Sequence, residues 1–78
     1  MRMIEVMFFG QLTDATGVSS LTIEDVANTD MLIQVMKKRY AALESSTYML
    51  ALNNTMVTEN TIIPPGSKVA FMPPFSGG

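Results

Sequence analysis

KVAFMPPFSGG, residues 68–78, places an apolar run of strand-forming residues directly before Pro73-Pro74, then one aromatic and a bare Ser-Gly-Gly. The run from Lys68 to Met72 predicts a strand. Pro73 and Pro74 must end it, because neither has a backbone N–H to give to a ladder. A strand this apolar belongs near the middle of a sheet and needs a neighbour of the same character. Met3 to Phe9, MIEVMFF, supplies that neighbour and stops at Gly10. Alternation puts Ile4, Val6 and Phe8 on one face and Met3, Glu5, Met7 and Phe9 on the other. Both faces are largely apolar, which means burial on both sides or one side kept for a partner.

Between these two strands the signals are of several kinds. GQLTDATG, residues 10–17, holds glycines, Asp14 and two threonines, and reads as a loop. Val18 to Glu24, with Val18, Leu21 and Ile23 apolar, reads as the second strand of a hairpin. The period then changes. Leu32, Val35, Met36, Tyr40 and Leu43 recur three and four apart, which predicts an amphipathic helix from about Asp30 to about Leu43. Thr29 or Asp30 would cap its start, and Lys37, Lys38 and Arg39 lie toward its end, where cations suit the helix dipole. Tyr48 to Asn54 reads as a third strand, Asn53-Asn54-Thr55 as a turn and Met56 to Thr58 as a short strand after it. Pro64-Pro65-Gly66 forbids both helix and central strand, so residues 60–68 form a loop. The order ββαβ(β)β carries one main helix, which must pack on one face of one sheet. The expected architecture is therefore α+β, a β-grasp or ubiquitin-like roll. It has a mixed sheet of four to five strands on one main helix, spanning residues 1–72, with the first and last strands paired in the centre. Residues 73–78 are expected to form a flexible C-terminal arm.

Composition narrows the chemistry. The chain has 78 residues, a net charge of -2, no cysteine and no histidine. A domain this short builds little more than a sheet with a covering helix. Without Cys there is no disulfide, no thiol nucleophile and no thiolate metal site, a pattern that fits the cytoplasm. Without His the usual general base and the commonest metal ligand are missing. The basic residues form no long run, which argues against nucleic acid as a partner. No signal peptide is visible and no apolar run reaches membrane-spanning length. The acidic residues are scattered; Glu24-Asp25, an adjacent pair at a strand end, reads as a solvated turn rather than an acid–base dyad. Lys37-Lys38-Arg39 reads as a solvated helix face. No glycine-rich phosphate loop occurs. Most of the methionines suit a core, where Met fills irregular gaps, with Met7 and Met72 as exceptions on an outward face.

The C-terminal arm remains as the candidate site. Pro73 and Pro74 stiffen it and send it away from the sheet in extended geometry. Phe75 lies outside any expected element and suits a pocket on a partner. Ser76, Gly77 and Gly78 have almost no bulk, as threading a narrow tunnel requires. A free carboxylate is a poor acyl donor. ATP can activate it as an acyl-adenylate before sulfur or nitrogen attacks. The Gly-Gly ending is a weak signal alone and a strong one beside VAFMPP and this order of elements.

VMFFGQL near the start, ALNNTMV in the middle and PPGSKVAFMPPFSGG at the end together resemble the MoaD family of sulfur carriers, the small subunits of molybdopterin synthases. The likeness covers essentially the whole chain, with departures from the usual pattern at Thr13, Met72 and Phe75. It implies a β-grasp fold that binds no cofactor of its own. It implies that Gly78, with Gly77 before it, is adenylated with ATP by a ubiquitin-activating-like adenylyltransferase. A sulfur donor protein would then supply the sulfur of a thiocarboxylate. That sulfur would pass to cyclic pyranopterin monophosphate inside the large subunit, which supplies the catalytic residues. Met7, Phe9, Met72, Pro73, Pro74, Phe75 and Ser76 would face the partners. Other readings of the same residues are a carrier for thiazole or tRNA thiolation, a protein-conjugating modifier, and a non-reactive β-grasp adaptor.

Overall fold

Alternation in the first strand sorts its side chains cleanly between two environments. In a computed structural model, which describes residues 3–74, β1 (Met3–Phe8) buries Ile4, Val6 and Phe8 and leaves the side chains between them half-buried or exposed. A short helix α1 (Leu12–Thr16) follows, then β2 (Ser20–Glu24), the main helix α2 (Thr29–Arg39) and a 3-10 turn (Ala41–Ser45). β3 (Met49–Leu52), β4 (Thr55–Val57) and β5 (Lys68–Met72) come next. The strands form one five-stranded sheet in the order β2-β1-β5-β3-β4. β1 and β5 run parallel and adjacent, with Val6 beside Val69 and Phe8 beside Phe71. All other pairings are antiparallel, so the sheet is mixed, with the last strand at its centre.

The inner face is a large-residue core. Ile4, Val6, Phe8, Ile23, Leu50, Val69 and Phe71 meet Leu32 and Met36 of α2 and Leu43 of the 3-10 turn. Phe8 sits between Phe71, 5.2 Å away between ring centroids, and Tyr40, 5.9 Å away edge-on. Burial of such side chains, at roughly 25 cal/mol per Å² of apolar surface, is what drives a domain of this size to fold.

The N-terminal N–H groups of α2 are satisfied from two places. The Asn28 side chain accepts from Met31 N at 2.9 Å, and Asn60 Oδ1 accepts from Asp30 N at 3.0 Å. The loop that supplies Asn60 is held by Thr29 N donating to Thr61 O and Ile63 N donating to Ala27 O.

Four local expectations are corrected. Residues 12–16 form a helix rather than a loop: Leu12 is drawn into the core, and Gly17 in left-handed conformation closes the turn by donating to Thr13 O. The cap of α2 is Asn28, not Thr29 or Asp30, because Asn28 is the extended residue whose carbonyl and side chain both face the first turn. The α-helix stops at Arg39, since Tyr40 turns to an extended conformation, and Leu43 reaches the core from the 3-10 turn instead. Val35 is exposed, while Ile33 packs partly against the core.

Candidate functional site

The outer face of the sheet is built from the alternate residues of the same strands. Register places Met7, Ala70, Ala51 and Met56 in one row across β1, β5, β3 and β4. The two alanines form a floor and the longer side chains form walls. The result is an open hollow of about 330 Å³ lined by Met7, Phe9, Ala51, Met56, Ala70 and Met72, with Asn53, Asn54 and Lys68 as its polar edge. Among the described residues no helix lies over it. Phe9 is 45 % exposed and Met56 43 % exposed, far more than a core allows.

The polar edge is fixed by an asparagine turn. Asn53 and Asn54 both adopt positive φ, 48° and 72°, as a two-residue hairpin turn requires. Asn53 also ties this turn to the start of β5. Its N donates to Lys68 O at 2.8 Å, its Oδ1 accepts from Lys68 N at 2.9 Å, and its Nδ2 donates to Ser67 Oγ at 3.3 Å. Sequence reading gave the turn but missed the tie, which the pattern of a turn pair alone cannot reveal.

Where β5 leaves the sheet, the chain passes over Gly10. Phe9 N donates to Phe71 O at 3.1 Å, the last bond between the two central strands. Met72 then lies beside Phe9 on the outer face, and Pro73 packs half-buried over Gly10. A Cβ added at Gly10 would stand 2.6 Å from Pro73 Cγ. Gly10 was not singled out in the sequence, because a glycine that ends a strand ordinarily marks only a turn.

The structure thus brings Met7, Phe9 and Met72 together on one uncovered face, with Pro73 at its margin and Pro74 exposed beyond it. Phe75, Ser76, Gly77 and Gly78 lie outside the described residues. Asp25, of the acidic pair, occupies a turn at φ 64°. Lys37 forms an exposed ion pair with Glu44 at 3.5 Å, a contact worth little in water. Among the described residues no group of three or more His, Cys, Asp or Glu is placed to hold a metal ion. No helix there is long and apolar enough to cross a membrane.

Comparison with known proteins places this geometry. The model of the ThiS family matches residues 6–78. A molybdopterin synthase sulfur carrier subunit of Haemophilus influenzae is 32% identical over 81 residues, covering 97% of this chain and 100% of that protein. A solved Pyrococcus furiosus chain, assigned as molybdopterin converting factor subunit 1, superposes with a TM-score of 0.88 at 22% identity, over 96% of this chain and 100% of that one. A Helicobacter pylori structure of a complex of subunits 1 and 2 of molybdopterin-converting factor contains a chain matching with a TM-score of 0.72 at 24% identity, over 97% of this chain and 99% of that one.

Proposed function

The chain belongs to the ThiS family, and from that premise we propose that it is the sulfur carrier subunit of a molybdopterin synthase. One observation carries the reading. The central strand runs along the uncovered apolar face and passes at Met72 directly into Pro73-Pro74 and the sequence Phe75-Ser76-Gly77-Gly78. A docking face and a carboxylate-bearing arm that begin at the same residue are what a carrier needs. The face holds the partner, and the arm delivers its end into the partner's site.

In this reading Gly78 carries the chemistry. A carboxylate oxygen attacks the α-phosphorus of ATP held by a ubiquitin-activating-like adenylyltransferase, and pyrophosphate leaves. Sulfide-level sulfur from a donor protein attacks the acyl carbon of the adenylate, and AMP leaves. One sulfur then stands in place of one oxygen. The large subunit passes that sulfur to cyclic pyranopterin monophosphate, and water restores the carboxylate. The chain's own residues bind and position: Met7, Phe9 and Met72 on the face, Pro73 and Pro74 at the base of the arm, Phe75 and Ser76 along it. Gly77 leaves room for groups that close on the acyl carbon. With neither Cys nor His in the chain, its own contribution to the chemistry is the Gly78 carboxylate, and the partners supply any thiol or imidazole. ATP and reduced sulfur are both available in the cytoplasm, where we place the protein.

The test is the mass of the intact chain after incubation with the adenylyltransferase, ATP and sulfide. Wild type should gain one sulfur in exchange for one oxygen, and a chain lacking Gly77 and Gly78 should not, with its melting temperature unchanged. Molybdopterin formation by the large subunit with the truncated chain, at the wild-type rate, would favour a non-reactive adaptor. An amide bond from Gly78 to a lysine of another protein would instead mark a modifier.

A further inference from the structure

Gly10 occupies a left-handed corner at φ 59°, two residues past the end of β1. That backbone does not by itself demand glycine in this protein. Asn53 and Asn54 take φ 48° and 72°, and Asp25 takes 64°. What separates Gly10 from those corners is its neighbour. A Cβ there would meet Pro73 Cγ at 2.6 Å and Cδ at 3.4 Å, whereas a Cβ at Gly17 or Gly66, also left-handed, would meet nothing within 4 Å. The bare Cα of Gly10 is a notch, and the ring of Pro73 fills it.

Both sides of the notch are held firmly. The Gly10 carbonyl accepts from Thr13 N at 3.1 Å and from Thr13 Oγ1 at 2.8 Å. Phe9 O accepts from Leu12 N, and Leu12 is locked in the core. On the other side Pro73 follows Met72 without a gap, its φ fixed by its own ring. The contact therefore joins a rigid corner to the first rigid residue after the last strand. Proline without a seat would still leave a range of directions through Met72.

We infer that Gly10 is a positioning residue for loading at the C-terminus: by seating Pro73 it aims the base of the arm past Phe9 and the apolar face, toward the activating partner's site. The inference rests on the sulfur carrier reading. The point and direction at which Pro73 leaves the domain set where the arm starts, and misplacement by about 1 Å at a reacting centre costs about a hundredfold in rate. The loss falls on turnover in the bound complex rather than on docking, because Met7, Phe9 and Met72 are untouched.

Asparagine is the substitution that isolates the effect, since this chain already carries it at left-handed corners. Gly10→Asn, Gly66→Asn, Pro73→Ala and the double variant Gly10→Asn with Pro73→Ala are compared with wild type. The readouts are melting temperature, ATP–pyrophosphate exchange with the adenylyltransferase, and thiocarboxylate formation from sulfide. Gly10→Asn should lower kcat about tenfold to a hundredfold with KM little changed, while Gly66→Asn matches wild type. In the Pro73→Ala background, where the atom nearest an added Cβ is gone, Gly10→Asn should cause no further loss of kcat. The inference is overturned by a Gly10→Asn chain that turns over as fast as Gly66→Asn, or by an equal loss with and without the Pro73 ring. Should Gly10→Asn not fold, Pro73→Ala alone decides: its kcat should fall with the melting temperature held, and an unchanged kcat overturns the seat. A wild-type chain that is never loaded overturns the carrier reading itself, and the inference with it.

Discussion

The two faces of one sheet differ in what lies over them and in the size of their side chains. On the inner face Ile4, Val6, Phe8, Val69 and Phe71 interlock with Leu32 and Met36 and are at most 2 % exposed. On the outer face the same strands offer a floor of Ala51 and Ala70 between Met7, Phe9, Met56 and Met72, and no helix among the described residues covers it. Large residues in fixed rotamers make the inner face specific to one arrangement. Small residues flanked by flexible methionines make the outer face a surface that can adapt its shape. A strand apolar on both sides is thus two half-patterns. One is completed within the chain; the other, in the carrier reading proposed above, is completed by a partner.

The strongest way to break this contrast is to remove one aromatic from each face. Phe71→Ala opens a cavity beside Phe8, Tyr48 and Leu50, and should cost roughly 3–5 kcal/mol. Stability of a single domain is itself about 5–15 kcal/mol, so the variant should be largely unfolded at elevated temperature. Phe9→Ala, on the exposed face, should change stability by only about 0.5 kcal/mol. Its effect should appear in binding to the large subunit, where loss of an aromatic anchor is worth about 2 kcal/mol, more than tenfold in Kd. Denaturant titration and calorimetric binding on the two variants give the comparison directly. If Phe9→Ala unfolds the chain, the outer face is core; if its binding is unchanged, the partner docks elsewhere.

The same contrast explains what the sequence disclosed. Strand positions, the pairing of the first strand with the last and the grouping of Met7, Phe9 and Met72 follow from period-two alternation and apolar content, both local quantities. What escaped depends on contacts between distant segments. Asn28 rather than Thr29 caps α2 because Thr29 is drawn inward, 3 % exposed, where its Oγ1 accepts from Thr61 N. Val35 fits the helical spacing, yet the helix is turned so that Ile33 faces the core. Residues 12–16 have loop composition, but Leu12 had a core to enter. Gly10 had a ring to accommodate, and nothing in its neighbours announces Pro73.

A milder perturbation tests how tightly the inner face depends on its cover. Asn28→Ala removes the acceptor for Met31 N while leaving every core side chain in place. Loss of an asparagine cap costs about 1 kcal/mol. The Asn60 bond to Asp30 N should keep the helix end from fraying further. The expected result is a modest fall in the denaturation midpoint with unchanged binding of the large subunit, because α2 does not touch the outer face. A loss of binding as large as that from Phe9→Ala would show that the two faces are coupled through the helix.

The smallest expected effect concerns the phenol at the inner margin. Tyr48 lies against Phe71, 5.1 Å between ring centroids, and is half-buried. Burial pushes its pKa above the ordinary 10.0, Lys37 pulls it back and Glu44 adds to the rise. The folded chain therefore holds this proton more tightly than the unfolded chain. Below about pH 10 the phenol is neutral in both states, and its contribution to stability is fully present. As pH rises further the unfolded state ionises first, and that contribution is lost as pH passes through the folded value. The signal is the difference between wild type and Tyr48→Phe. Denaturant titrations from about pH 8 to about pH 11 should show wild type losing more stability than Tyr48→Phe above the ordinary tyrosine value. The half-exposed position keeps the difference small, since solvent screens it. Parallel curves across that range would mean that burial against Phe71 does not hold the phenol neutral, and that the inner face ends before Tyr48.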